Sequence, residues 1–78
     1  MKDLIEYMAC SLVDDPTQVG VTEYRRGATI SYKLHVASDD MGRVIGRGGR
    51  VANAMRLLVN VAAARDGRQV SLDVEDPE

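Results

Sequence analysis

The chain is predicted to form an α+β domain, a three-stranded mixed sheet with three helices on one face in the order α-β-β-α-α-β. Three observations lead there. Apolar residues near the start recur at helical spacing, two later runs alternate with a period of two, and a glycine-rich stretch separates a short helical turn from a long amphipathic segment and a last alternating run.

Leu4, Ile5, Met8, Ala9, Leu12 and Val13 step by three and four residues, which predicts a helix from Lys2 to Val13. Asp14-Asp15-Pro16 ends it, because proline disfavours helical conformation in the residue before it. Val19, Val21 and Glu23 then share one face of a short edge strand, with Thr22 and Tyr24 on the other. Arg25-Arg26-Gly27 is the turn signal. After it Ala28, Ile30, Tyr32, Leu34 and Val36 alternate with Thr29, Ser31, Lys33 and His35, the clearest strand pattern in the chain, so the two strands make a hairpin.

Ser38-Asp39-Asp40 is placed to cap a short helix whose Met41, Val44 and Ile45 face inward. From Arg50, the residues Val51, Met55, Leu58, Val59 and Ala62 predict a helix running to Ala64 or Arg65, stopped by Asp66-Gly67. Val70, Leu72 and Val74 alternate against Gln69, Ser71 and Asp73 in a last strand, and the acidic end Glu75-Asp76-Pro77-Glu78 is expected to fray. Two helices between the second and last strands give the crossover length that parallel pairing requires, and a right-handed crossover puts both helices on one face. The first helix is expected on the same face, leaving Lys33 and His35 in water.

At 78 residues the sequence is expected to be one domain spanning 1–78, near the lower size limit for a core without disulfides or metal. It has no tryptophan or phenylalanine, so the core must come from aliphatic residues, methionine and three tyrosines. Association with a partner would add stability to so small a core. The single cysteine, Cys10, has no internal disulfide partner, and no histidine and cysteine cluster has metal-ligand spacing. Acids in the first six residues and the lack of an apolar run near about 20 residues point to a cytoplasmic chain without a membrane span.

Net charge is −2, but its distribution is uneven. Residues 1–40 carry four basic and seven acidic residues, residues 41–70 carry six arginines and Asp66, and residues 71–78 carry four acids. The glycine run Gly46-Arg47-Gly48-Gly49 lies inside the only positive block, flanked by Arg43 and Arg50. A dinucleotide fingerprint fails, because its third glycine would fall at Val51 and a helix rather than a strand precedes the loop. A P-loop fails because Arg47 stands where its second glycine belongs, and no Gly-Lys-Ser or Gly-Lys-Thr follows.

What remains is helix, Gly-x-x-Gly, helix, in the segment Val44-Ile45-Gly46-Arg47-Gly48-Gly49-Arg50-Val51-Ala52-Asn53-Ala54-Met55. This segment resembles the KH-domain signature. The Val-Ile pair ahead of the loop, Ala52 and Met55 after it, and the preceding helix-strand-strand order extend the likeness over essentially the whole chain, in the arrangement of the type II KH fold. A free-standing domain of this size is similar to the small bacterial KhpA-type proteins. The resemblance implies binding of single-stranded RNA with low sequence specificity and RNA chaperone or post-transcriptional regulatory activity. It also implies self-association or pairing with a larger KH-domain protein, and a link to cell envelope growth and cell shape. The variable pair of the loop is Arg47-Gly48, where a lysine or other polar residue commonly takes the second place, so the grip on a nucleic-acid backbone rests on Arg47.

KH loops clamp about four nucleotides, and bare glycines let the sugar-phosphate chain lie close to the backbone. Gly46, Gly48 and Gly49 meet that need, Arg47 and Arg50 offer guanidinium forks to phosphate, and Arg43 is a third expected contact. Val44, Ile45 and the following helix with Asn53 form the expected floor, and Val70, Ser71 and Leu72 are expected to present backbone groups to base edges. No aromatic lines this path, so binding should be weak, salt-sensitive and poorly specific. Arg56, Arg65 and Arg68 read as a solvated helix face and loop, His35 as an exposed sheet residue, Cys10 as a small packed residue and Tyr32 as core. No paired carboxylates, triad or cofactor motif converge, so neither enzyme activity nor a cofactor is expected. The competing reading is a protein interaction module in which RNA contact is incidental.

Overall fold

The alternation of Ile30, Tyr32 and Leu34 builds the central strand of a three-stranded sheet. The structure, a computed structural model, describes residues 1–75; residues 76–78, most of the acidic end expected to fray, lie outside them. The elements are α1 (Lys2–Leu12), β1 (Gly20–Arg26), β2 (Thr29–His35), α2 (Met41–Ile45), α3 (Arg50–Arg65) and β3 (Gln69–Val74), with 3₁₀ turns at Pro16–Gln18, Ser38–Asp40 and Arg47–Gly49.

β1 pairs antiparallel with β2, Val21 opposite Leu34 and Tyr24 opposite Ser31. β3 pairs parallel with β2 on its other side, Tyr32 opposite Leu72, as the two-helix crossover predicts. Alternation puts Val21, Ile30, Tyr32, Leu34 and Leu72 on the helix-covered face, where Ile5 and Ala9 of α1, Val44 of α2 and Met55 and Val59 of α3 complete the core. Ile5, Leu34, Val44 and Val59 are fully enclosed. Each such side chain contributes about 1.5–3 kcal/mol by leaving water, a large share of the stability a domain this small can have.

The expected elements are all present, with local differences. The hairpin turn is Gly27-Ala28 rather than Arg25-Arg26-Gly27, because Arg26 still pairs with Thr29 and Gly27 supplies the positive φ at the first turn position. The buried stripe of α3 is Ala52, Met55, Val59 and Ala63, rotated from the expected one, so Leu58 is 56% exposed. Alanines at 52 and 63 let the helix lie close to the sheet, and the bulkier Leu57, Leu58 and Val61 are turned outward. Cys10 is exposed on α1 instead of packed.

Asp40 does not cap α2 with its side chain. Its buried carboxylate reaches back across the fold and accepts hydrogen bonds from the backbone N–H groups of Asp14 and Asp15, each at 3.1 Å. Arg43 closes this clip, with Nε 3.3 Å from Asp40 Oδ1 and Nη2 2.8 Å from Asp14 Oδ2. The chain leaving α1 is thereby tied to the entry of α2, which aims the glycine loop.

Candidate nucleic-acid interface

α2 ends because Gly46 takes φ 76° and ψ 170°, a conformation in which a Cβ would be strained. Its N–H still bonds the Gly42 carbonyl at 2.9 Å, and its own carbonyl accepts from Gly49 N–H at 3.1 Å. Gly48 and Gly49 follow at φ 65° and 79°, both left-handed, and the chain enters α3 at Arg50. A Cβ on Gly48 would meet no atom within 4 Å, so the outer side of the loop is open backbone. Gly49 caps α3 without a side chain, which leaves the first-turn amides of a 16-residue helix without a side-chain partner.

Arg47 and Arg50 are exposed beside this backbone and make no ion pair among the described residues. Arg43 differs from the expectation. Its guanidinium is held by Asp14 and Asp40, so its charge is already neutralised and its role here is to brace the loop.

The walls are partly as the sequence predicts. Ile45 is half-buried at the end of α2, and Asn53 lies exposed on α3, its Nδ2 3.8 Å from where a Gly49 Cβ would stand. Val44 is wholly enclosed in the core and offers no surface, so it cannot serve as floor. Along β3, Glu75 N–H bonds the Leu34 carbonyl of β2, whereas the Leu72 carbonyl accepts from Arg56 on the opposite edge. Since successive residues of a strand direct their backbone groups to alternate edges, the backbone groups of Val70 and Leu72 reach the free edge and those of Ser71 do not. The Ser71 hydroxyl instead donates to Ser31 Oγ at 3.0 Å on the open sheet face.

Arg56 is the residue missed by the sequence reading. It is no solvated helix residue: Nε donates to Leu72 O at 2.7 Å, Nη1 to Asn53 Oδ1 at 2.9 Å, and Nη2 lies 3.7 Å from Asp73 Oδ1. A fixed guanidinium therefore bridges α3 and the free edge of β3. The available signal was its spacing from Ala52 and Val59, four residues before and three after, both buried.

The family described as the KhpA/KhpB KH domain matches residues 2–74, which include every element and the whole loop. The chain belongs to this family. Three bacterial relatives, each named RNA-binding protein KhpA, are similar to this KhpA/KhpB KH domain along nearly their entire length. That of Halalkalibacterium halodurans is 46% identical, covering 97% of this chain and 100% of its own. That of Clostridium acetobutylicum is 42% identical, covering 95% and 99%, and that of Chlamydia trachomatis is 40% identical, covering 95% of each. No solved structure gave a significant match. KH domains of this family are not enzymes, in line with the lack of a catalytic constellation in the sequence. Among the described residues no group of three or more His, Cys, Asp or Glu could hold a metal ion, and no helix is long and apolar enough to cross a membrane.

Proposed function

We propose that this KhpA/KhpB KH domain binds single-stranded RNA with low sequence specificity across the Gly46–Gly49 loop. It acts in the cytoplasm as an RNA chaperone or post-transcriptional regulator. The observation that carries the reading is the glycine backbone at positions 46, 48 and 49, open on its outer side at Gly48 and bordered by the exposed Arg47 and Arg50, which make no ion pair among the described residues, and by the start of α3, which has no side-chain cap. A phosphodiester strand can approach that backbone closely, and its charge is complementary to the two arginines. The relatives' name, RNA-binding protein, supports the same reading. By family resemblance, the setting is control of cell envelope growth and cell shape.

The test is the double variant Arg47→Asp with Gly48→Asp. Gly48 has open space around it, and aspartate tolerates the left-handed region better than most side chains, so the fold should persist while RNA contact at the loop is lost and overall RNA affinity falls. Undiminished RNA affinity in the folded variant would reject the reading.

A second reading concerns assembly. α1 and α3 leave a shallow apolar groove lined by Tyr7, Met8, Leu12, Val51 and Leu58, and Leu57 and Val61 are exposed beside it on α3. In so small a domain this surface supports self-association, or pairing with a larger KH-domain protein.

A further inference from the structure

We propose a second RNA contact on the open face of the sheet, centred on Tyr24 and flanked by Arg26 and Lys33. The proposal presupposes that the chain binds single-stranded RNA. The twisted sheet forms a hollow of about 470 Å³ there, lined by Tyr24, Arg26, Ser31 and Lys33. None of these residues belongs to the glycine loop or to the helices that border it.

Three observations converge on a polynucleotide as occupant. First, Tyr24 is 50% exposed on the edge strand β1, on the sheet face that no helix covers, and it is the sheet's one exposed aromatic, since Tyr32 is enclosed on the other side. An exposed ring on a rigid strand is a stacking platform that accepts any base. Second, Arg26 lies two residues along the same strand, and Lys33 lies two residues from Ser31, the cross-strand partner of Tyr24, so both cations border the ring.

Third, the acids near this face lie beside cations other than Arg26 and Lys33. Asp73, opposite Lys33 in the register, lies 3.7 Å from Arg56 Nη2 at the free edge of β3, and Glu75 lies 2.8 Å from His35 Nε2. Arg26 and Lys33 make no ion pair among the described residues. The hollow thus presents uncompensated positive charge around an aromatic surface, the combination that recognises phosphate and base together. The glycine loop offers the charge without the ring. Two sites on opposite layers of one chain can hold two strand segments at once, which is the property an annealing protein needs.

The experiment follows backbone amide resonances of the full chain during titration with a short oligouridylate at low salt, in the wild type and in Arg47→Asp/Gly48→Asp. The expected result is that amides of Tyr24, Ser31 and Lys33 shift in both proteins, while those of residues 46–50 shift only in the wild type. Tyr24→Leu should weaken the sheet-face affinity on the order of tenfold and Tyr24→Phe should restore it. Arg26→Gln with Lys33→Gln should flatten the salt dependence by about 1.4 in log–log slope, about 0.7 for each lost phosphate contact. If loop amides move and the sheet amides stay still, the second site is overturned and the loop reading stands. Movement of the sheet amides alone overturns the loop reading instead. A sheet face that responds to polyglutamate but not to oligouridylate is a protein-docking surface, and the proposal fails.

Discussion

Val51 stands against Gly46 so closely that a Cβ on the glycine would lie 2.5 Å from Val51 Cγ2 and 2.8 Å from its backbone nitrogen. The first turn of α3 is thus folded back over the end of α2, and the loop between them is forced outward. Gly46→Ala should lose about 1–3 kcal/mol, from steric overlap added to a left-handed φ. Gly48→Ala, with open space around it, should lose only the conformational part, about 1 kcal/mol. Urea denaturation of both variants checks the order; a wild-type midpoint for Gly46→Ala would refute the contact.

Asp40→Ala removes the acceptor for two backbone N–H groups and one partner of Arg43. Leaving partly buried donors unsatisfied should cost about 1–3 kcal/mol, whereas Arg43→Ala, at a more exposed position, should cost less than about 1 kcal/mol. Comparing the two denaturation midpoints tests whether the carboxylate or the guanidinium holds the clip.

Arg56→Ala should lower the melting temperature by about 4–8 °C, as expected for roughly 1 kcal/mol in a domain of this size, because the Leu72 carbonyl loses its donor at the strand edge. Arg56→Lys should recover only part of that loss, since an ammonium cannot bridge Leu72, Asn53 and Asp73 with a planar fork. Equal melting of wild type and Arg56→Ala would show that the bridge adds nothing.

Tyr32 titrates above the ordinary phenol value of about 10, first because burial disfavours the phenolate and then because the Glu23 carboxylate beside it repels a second negative charge and accepts its hydrogen bond. The folded state therefore keeps a proton that the unfolded chain releases from about pH 10 upward. The stability from this group is complete below that pH and is lost as pH rises through the folded pKa. Tyr32→Phe should flatten the alkaline decline in stability measured by denaturation above pH 10, and an unchanged slope would contradict the assignment.

Leu58 is 56% exposed at the groove between α1 and α3. Leu58→Glu should leave the fold intact and convert a self-associated species to monomer in light scattering. If the assembly survives the charge, another surface forms it.

Much of this was legible in the sequence because it depends on local periodicity. Period-two alternation from Ile30 to Leu34 and glycines at 46, 48 and 49 have few alternative uses, and the strands and loop lie where those patterns place them. The rotation of the α3 stripe was not legible. Leu58 is the better hydrophobe, yet Ala52 and Ala63 face inward because closeness between helix and sheet matters more there than the apolar area of one residue. Nor do composition and spacing distinguish Arg43, which is bound by two acids, from Arg47, which makes no ion pair among the described residues.

By itself the sequence determined the order of the elements, the parallel crossover and the bare loop ahead of α3, since these follow from periodicity, proline and glycine along a single stretch of chain. Only the tertiary structure decided which polar groups are already engaged. Asp40 with the backbone of Asp14 and Asp15, and Arg56 with the edge of β3, join positions 16 to 26 residues apart. The energy of such contacts depends on distance and burial in three dimensions, which no local pattern encodes.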